Sequence, residues 1–208
     1  MAFIRQNSAE LVSSDERKNA REFADLVAGL EDPNPSCRRW AARDLVDCPD
    51  ATAALVARLP LEQDLTVREV IFSTLVKLGD PAAIDQLEKC LRSDDASLRN
   101  EAVEAMKQLP DEVAPIMSDL LKDPDPDTRI FAVNILESFR HPDVVDWLIE
   151  VIANDPHVNV CGTAVDLLSE FGTSDAAEAL VALKARFPEE PYIQFCADLA
   201  LRRIREGC

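Results

Sequence analysis

The chain has 208 residues, 47% of them hydrophobic and 29% charged, with a formal net charge of −17 at pH 7. That length allows one or two ordinary domains with a sizeable core, and five glycines with only 5% aromatics favour helices over strands. So acidic a chain repels polyanions, which argues against a nucleic-acid binder, since that normally needs a basic stripe.

The opening stretch MAFIRQNSAELVSSDERK lacks the long apolar core of a signal peptide. Runs such as ATAALVA are far short of a membrane span. A cytoplasmic protein is expected, with its six cysteines reduced rather than paired. Residues 1–12 read as a loose arm or partial cap, and SSDE from Ser13 offers a capping box. No linker interrupts the chain afterwards, so residues 13–208 read as one domain.

Within that domain the elements alternate regularly. Phe23, Leu26, Val27 and Leu30 make one apolar helical stripe, and DPNPS then turns the chain into a second helix. Later first helices repeat the stripe as Ile84, Leu87 and Leu91, and as Val113, Ile116, Met117, Leu120 and Leu121. The turns inside each pair read DPNPS, LEQDLT, RSDDAS, KDPDPD, NDPHVN and FPEEPY. Pro breaks the outgoing helix and fits the first turn of the next, while Asp caps free amides. Between pairs the punctuation is DCPD, LGD, QLPD, RHPD and FGTSD, rich in helix terminators.

Taking Arg38, Arg68, Arg99, Arg129, Cys161 and Gln194 as equivalent marks, the intervals are 30, 31, 30, 32 and 33 residues. Three residues after each mark stand Ala41, Ile71, Ala102, Ala132, Ala164 and Ala197; seven after, Leu45, Leu75, Met106, Leu136, Leu168 and Leu201. Ten after come Cys48, Leu78, Leu109, Phe139, Phe171 and Ile204. These three positions share one side of a helix. A helical hairpin cannot bury its apolar face alone, whereas stacked copies bury it against one another. The predicted fold is all-α: an α-solenoid of six antiparallel helix pairs, spanning residues 16–50, 51–80, 81–110, 111–142, 143–174 and 175–207.

Residues 16–205 resemble the HEAT-repeat family and its HEAT-like, phycobilisome-lyase-type relatives, which place an Asp and an Arg six apart at the turn between paired helices. Asp32 with Arg38 and Asp123 with Arg129 match; Glu62 with Arg68 is a variant, and Ser93 stands where Arg99 should find its Asp, with Asp94 one place along. The resemblance implies a structural ladder through these residues between neighbouring repeats. It should stop at the fifth and sixth repeats, which carry Cys161 and Gln194.

The residues do not match the enzymes of similar architecture. Deoxyhypusine hydroxylases hold iron with His-Glu pairs, but His141 and His157 are the chain's two histidines and neither precedes Glu. A helix of about a dozen residues separates them by about 18 Å, so they read as surface or capping residues. HEAT-like DNA glycosylases use basic and aromatic grooves; Arg39, Trp40 and Arg43 resemble one, but Glu101, Glu104 and Asp166 would repel the phosphates. There is no CxxC, and Cys37, Cys48 and Cys161 are too far apart for a metal or cluster. Cys48 reads as a small core hydrophobe, and Cys208 as terminal and exposed. No phosphate loop or Ser-His-Asp set converges. No catalytic residue, cofactor or metal is expected.

The resemblance further implies that second helices line a concave face, to which positions two and five after each mark should point. They read Trp40 and Arg43, Val70 and Ser73, Glu101 and Glu104, Phe131 and Asn134, Thr163 and Asp166. Aromatics there mark a partner-binding surface or edge-of-core packing, and Glu101 with Glu104 suits either a basic partner or a solvated face. Trp147 is assigned to packing. Phe195, Cys196 and Leu199 lie on the would-be free side of the last repeat, where a terminal repeat should be polar, so this end is a candidate docking or homodimer face. The expected function is a non-catalytic scaffold or adaptor that binds a protein or peptide, monomeric or dimeric through its last repeat. The alternative is an accessory or maturation factor handling a cofactor, as implied by similarity to phycobilin lyase subunits.

Overall fold

The computed structural model describes residues 22–48 and 50–206. The expected arm over residues 1–12, the capping box at Ser13 and the exposed Cys208 lie outside them. The described residues form twelve α-helices and no strand. In pairs these are α1 (Phe23–Gly29) with α2 (Pro35–Asp44), α3 (Ala51–Arg58) with α4 (Leu65–Leu78), and α5 (Pro81–Cys90) with α6 (Ala96–Met106). Then come α7 (Pro110–Leu120) with α8 (Pro126–Leu136), α9 (Val144–Asn154) with α10 (Val158–Phe171), and α11 (Ala177–Arg186) with α12 (Pro191–Glu206). Each second helix packs on the second helix of the next pair, from α2 against α4 through to α10 against α12. This is the predicted stack of hairpins.

The third and seventh positions after the marks are buried in all six pairs, as positions on the shared helix face should be. The tenth is shallower: Leu109 and Phe139 are buried, Cys48, Leu78 and Ile204 are half-buried, and Phe171 is 37% exposed. Phe171 is the last residue of α10, so no further turn of helix covers it. At the other end of the array Phe23 is also exposed, while Leu26 and Leu30 are buried.

The turns inside the first five pairs share one hydrogen-bonding device. The side chain six residues before the mark accepts the amide two residues on: Asp32 from Asn34 (2.7 Å), Glu62 from Asp64 (2.8 Å), Ser93 from Asp95 (3.1 Å), Asp123 from Asp125 (2.9 Å) and Asp155 from His157 (2.8 Å). That second residue is the N-cap of the following helix. Asn34, Asp64, Asp95 and Asp125 accept amides of its first turn, which leaves fewer unsatisfied donors there. Capping therefore falls two residues later than the first Asp of the DPNPS and KDPDPD turns. Asp64 bonds both Thr66 N (2.9 Å) and Val67 N (3.3 Å). Asp64→Ala should lower stability by about 1 kcal/mol, read as a shift in the urea midpoint with an unchanged slope.

Candidate functional site

The mark residues themselves close the turns and join the hairpins. Arg38 donates to the backbone carbonyls of Asp32 (2.9 Å) and Pro33 (3.2 Å), Arg99 to that of Ser93 (2.6 Å), and Arg129 to those of Asp123 (2.7 Å) and Pro124 (3.3 Å). The carboxylates that meet these guanidinium groups come from the next hairpin. Arg38 pairs with Glu62 (2.7 Å), Arg68 with Asp95 (2.9 Å) and Glu101 (2.7 Å), and Arg129 with Asp155 (2.6 Å). Between the third and fourth hairpins the ionic links are Arg92 with Asp123 (2.5 Å) and Lys107 with Glu137 (2.7 Å), not Arg99.

One sequence expectation is corrected by these contacts. Glu62 serves Arg38 and Arg58, not Arg68, because Arg68 points forward to α6. Past Arg129 no ladder ion pair follows among the described residues, and hydrogen bonds take over: the Cys161 thiol donates to the Asp155 carbonyl (3.3 Å), and Arg186 from α11 donates to the same carbonyl (2.6 Å) and to Cys161 Sγ (3.1 Å). Gln194 donates to Lys184 O (2.9 Å) and Phe187 O (3.0 Å). A mark residue bonds a turn carbonyl in five of the six hairpins, through a guanidinium, a thiol or an amide; Arg68 bonds only the carboxylates of Asp95 and Glu101.

The ten residues expected on the shared face all retain solvent contact. Trp40 is half-buried with the Arg43 guanidinium 4.1 Å above its ring, and Phe131 lies under Arg99 at 5.8 Å. Val70 is half-buried and Ser73 exposed. Glu101 receives Arg68, and Glu104 receives Lys107 at 3.0 Å. Asn134 is half-buried, Thr163 donates to Asn159 O (3.0 Å), and Asp166 accepts the Tyr192 hydroxyl (2.5 Å). Tyr192 lies so close over α10 that a Cβ on Gly162 would meet its ring at 3.0 Å. Its hydroxyl is raised well above the ordinary phenol range by the Asp166 carboxylate and by burial.

Three of these residues meet in one groove. Ser73, Glu101 and Glu104 line a cavity of about 480 Å³ between α4 and α6, together with Glu69, Phe72 and Val76. Its floor is apolar and its rim acidic. Phe72 escaped the sequence reading, although its position, four after the mark, is apolar in the first five hairpins. A second cavity, about 340 Å³, lies between α7 and α9, with Leu121, Trp147 and Val151 as its apolar wall and the Lys122–Glu150 pair (3.0 Å) beside it. Trp147, expected to be packed, is half-buried and stacks on His141 with ring centroids 5.1 Å apart.

The expected terminal face is corrected in part. Phe195 is 68% exposed and Leu199 half-buried, but Cys196 is only 6% exposed, with the Tyr192 hydroxyl, one turn earlier, beside its thiol. Burial raises the thiols of Cys90, Cys161 and Cys196 above their ordinary value, so these three stay protonated at neutral pH. Among the described residues no group of three or more His, Cys, Asp or Glu could hold a metal ion, and no helix is long and apolar enough to cross a membrane.

The sequence pattern of HEAT repeats matches residues 23–107 and 113–193. The chain is 27% identical over 188 residues to a protein of Pseudanabaena tenuis called uncharacterized phycocyanin operon protein Z, covering 84% of this chain and 91% of that one. It is 36% identical over 74 residues to the bilin biosynthesis protein PecE of a Nostoc species; the match covers 35% of this chain and spans 29% of that protein. Among solved structures it is similar to an engineered protein (TM-score 0.44, 22% identity, 90% of this chain and 98% of that one). It is also similar to the complex of CpcE and CpcF of phycocyanin lyase from Nostoc (TM-score 0.38, 18% identity, 98% of each).

Proposed function

We propose that this chain, which belongs to the HEAT-repeat family, is an accessory binding protein of phycobiliprotein maturation. It holds a protein partner along the face of its second helices and contributes no covalent chemistry. The observation that carries this reading is the near full-length similarity to a protein named for the phycocyanin operon. The shorter match to a bilin biosynthesis protein points the same way. On this reading the work is done in the cytoplasm, where the partner protein is made.

The second-helix face suits that task. The α4–α6 groove offers Phe72 and Val76 as apolar floor and Glu69, Glu101 and Glu104 as rim. A side chain seated there gains apolar burial, and the rim favours a basic neighbour. Trp40 and Phe131 flank the groove from α2 and α8, each with an arginine over its ring. Such rings bury much area at little entropic cost, which is why aromatics dominate protein contacts.

The test is direct. Mixed with purified phycocyanin subunits, with and without their bilin, the chain should form a complex that elutes earlier on gel filtration. Trp40→Ala with Phe131→Ala should weaken it at least about tenfold, with helical ellipticity unchanged. No complex with either form of the subunits would overturn the partner assignment. A complex indifferent to both substitutions would overturn the site. A visible-band shift on adding free bilin, with no protein complex formed, would favour direct cofactor handling instead.

A further inference from the structure

The side of each hairpin that faces the next one can be read from burial. Four residues after the marks stand Ala42, Phe72, Val103, Val133 and Val165, all buried. Within or one residue past the first helices the same forward position is filled by Leu30, Leu59, Leu91, Leu121 and Ile152, each four residues after a buried Leu or Met and each buried itself. In the sixth hairpin these two positions become Asp198 and Lys184. Asp198 is exposed, Lys184 half-buried, and the two form an ion pair. Both positions change together, and to opposite charges.

Two exposed apolar residues adjoin the pair, with the exposed Arg202 one turn further along α12. Phe195 precedes Asp198 by three residues and Val181 precedes Lys184 by three, so each shares a helix face with its charged neighbour. Both are exposed. Phe195 occupies the position of Gly162, which in the fifth hairpin lies against Tyr192 of the sixth. The last hairpin therefore sets a salt bridge beside exposed apolar residues, where the inner hairpins carry buried apolar side chains.

We infer that the Lys184–Asp198 pair closes this end of the solenoid against stacking by a second copy of the chain. An incoming hairpin would have to bury both charges, and the cost of taking an ion pair out of water cancels the gain from covering Phe195 and Val181. The same pair is nearly free of cost while it faces solvent. This holds whatever partner the second-helix face binds, and it reverses the expectation of a homodimer through the last repeat.

Sedimentation velocity on the full chain over a range of concentrations tests it. Lys184→Leu with Asp198→Val restores the residue types of the inner hairpins and should strengthen self-association roughly tenfold or more, the worth of one further buried aliphatic side chain. Lys184→Gln with Asp198→Asn removes the charges at nearly constant size and should also associate more strongly than the parent. Lys184→Asp with Asp198→Lys keeps a pair and should behave as the parent does. The inference is overturned if the neutral variant, with helical ellipticity intact, associates no more than the parent. It is equally overturned if the reversed pair associates as strongly as the apolar variant, or if the parent itself dimerises and Asp198→Arg abolishes the dimer.

Discussion

Replacing Arg129 by alanine should destabilise the protein by about 3–5 kcal/mol, the loss expected when one member of a buried ion pair is removed. Arg129 is 9% exposed and Asp155 8%. The guanidinium grips the carboxylate with two hydrogen bonds, of 2.6 and 3.0 Å, and uses its third nitrogen for the Asp123 carbonyl (2.7 Å). Alanine leaves the carboxylate without its cation and the carbonyl without a donor, both cut off from water. Arg129→Met with Asp155→Leu should recover only part of the loss: it removes the unpaired charge, but the Asp123 carbonyl still lacks its donor and the His157 amide its acceptor. The step broken in the single variant joins the fourth and fifth hairpins. Stability in such an array is a sum of repeat and interface contributions, so urea unfolding should also broaden as the two halves uncouple. A loss below about 1 kcal/mol, the range of an exposed pair, would show that the pair is solvated in the folded protein.

The second large effect is the acid sensitivity carried by Glu62. Burial alone would raise its carboxyl, but hydrogen bonds from Arg38, the Asp64 amide and Arg58 outweigh that and hold it at about 2, below its ordinary 4.5. A carboxylate depressed by folding contributes stability at every pH above its unfolded value. That contribution is lost as the pH falls from 4.5 toward about 2. The separation corresponds to about 3 kcal/mol. Glu62→Gln should therefore cost about that much at neutral pH, and its stability should change less than the parent's between those two pH values. Parallel pH profiles for the two proteins would mean that other carboxylates carry the acid response.

Much of this architecture is legible in the chain itself. A repeat writes the same physical requirement six times, so Ala41 through Ala197 and Leu45 through Leu201 identify the shared buried face without any knowledge of contacts. The Asp-to-Arg spacing is equally visible, yet its meaning is not. The side chain of Asp32 bonds an amide of its own turn, Arg38 bonds the carbonyl of Asp32, and the guanidinium is shared with Glu62, 24 residues away. Local spacing shows that two residues belong together; it does not show which atoms meet.

The expected binding face is legible to the same extent. Helical periodicity places Trp40, Glu101 and Phe131 on the solvent side of their helices, but only packing brings Glu101 beside Glu69 and Phe72 across the α4–α6 groove, or seats Arg99 over Phe131. Cys196 shows the limit most clearly: its register matches Trp40 and Phe131, and it is buried nonetheless.

By itself the sequence determined that the chain is a stack of helical hairpins, because apolar period, turn residues and caps act within one hairpin and recur in each. Only the tertiary structure decided which guanidinium meets which carboxylate, where a groove opens between second helices, and that Lys184 and Asp198 meet at the end of the stack. Those outcomes depend on distances between residues of different helices, and no local pattern encodes them.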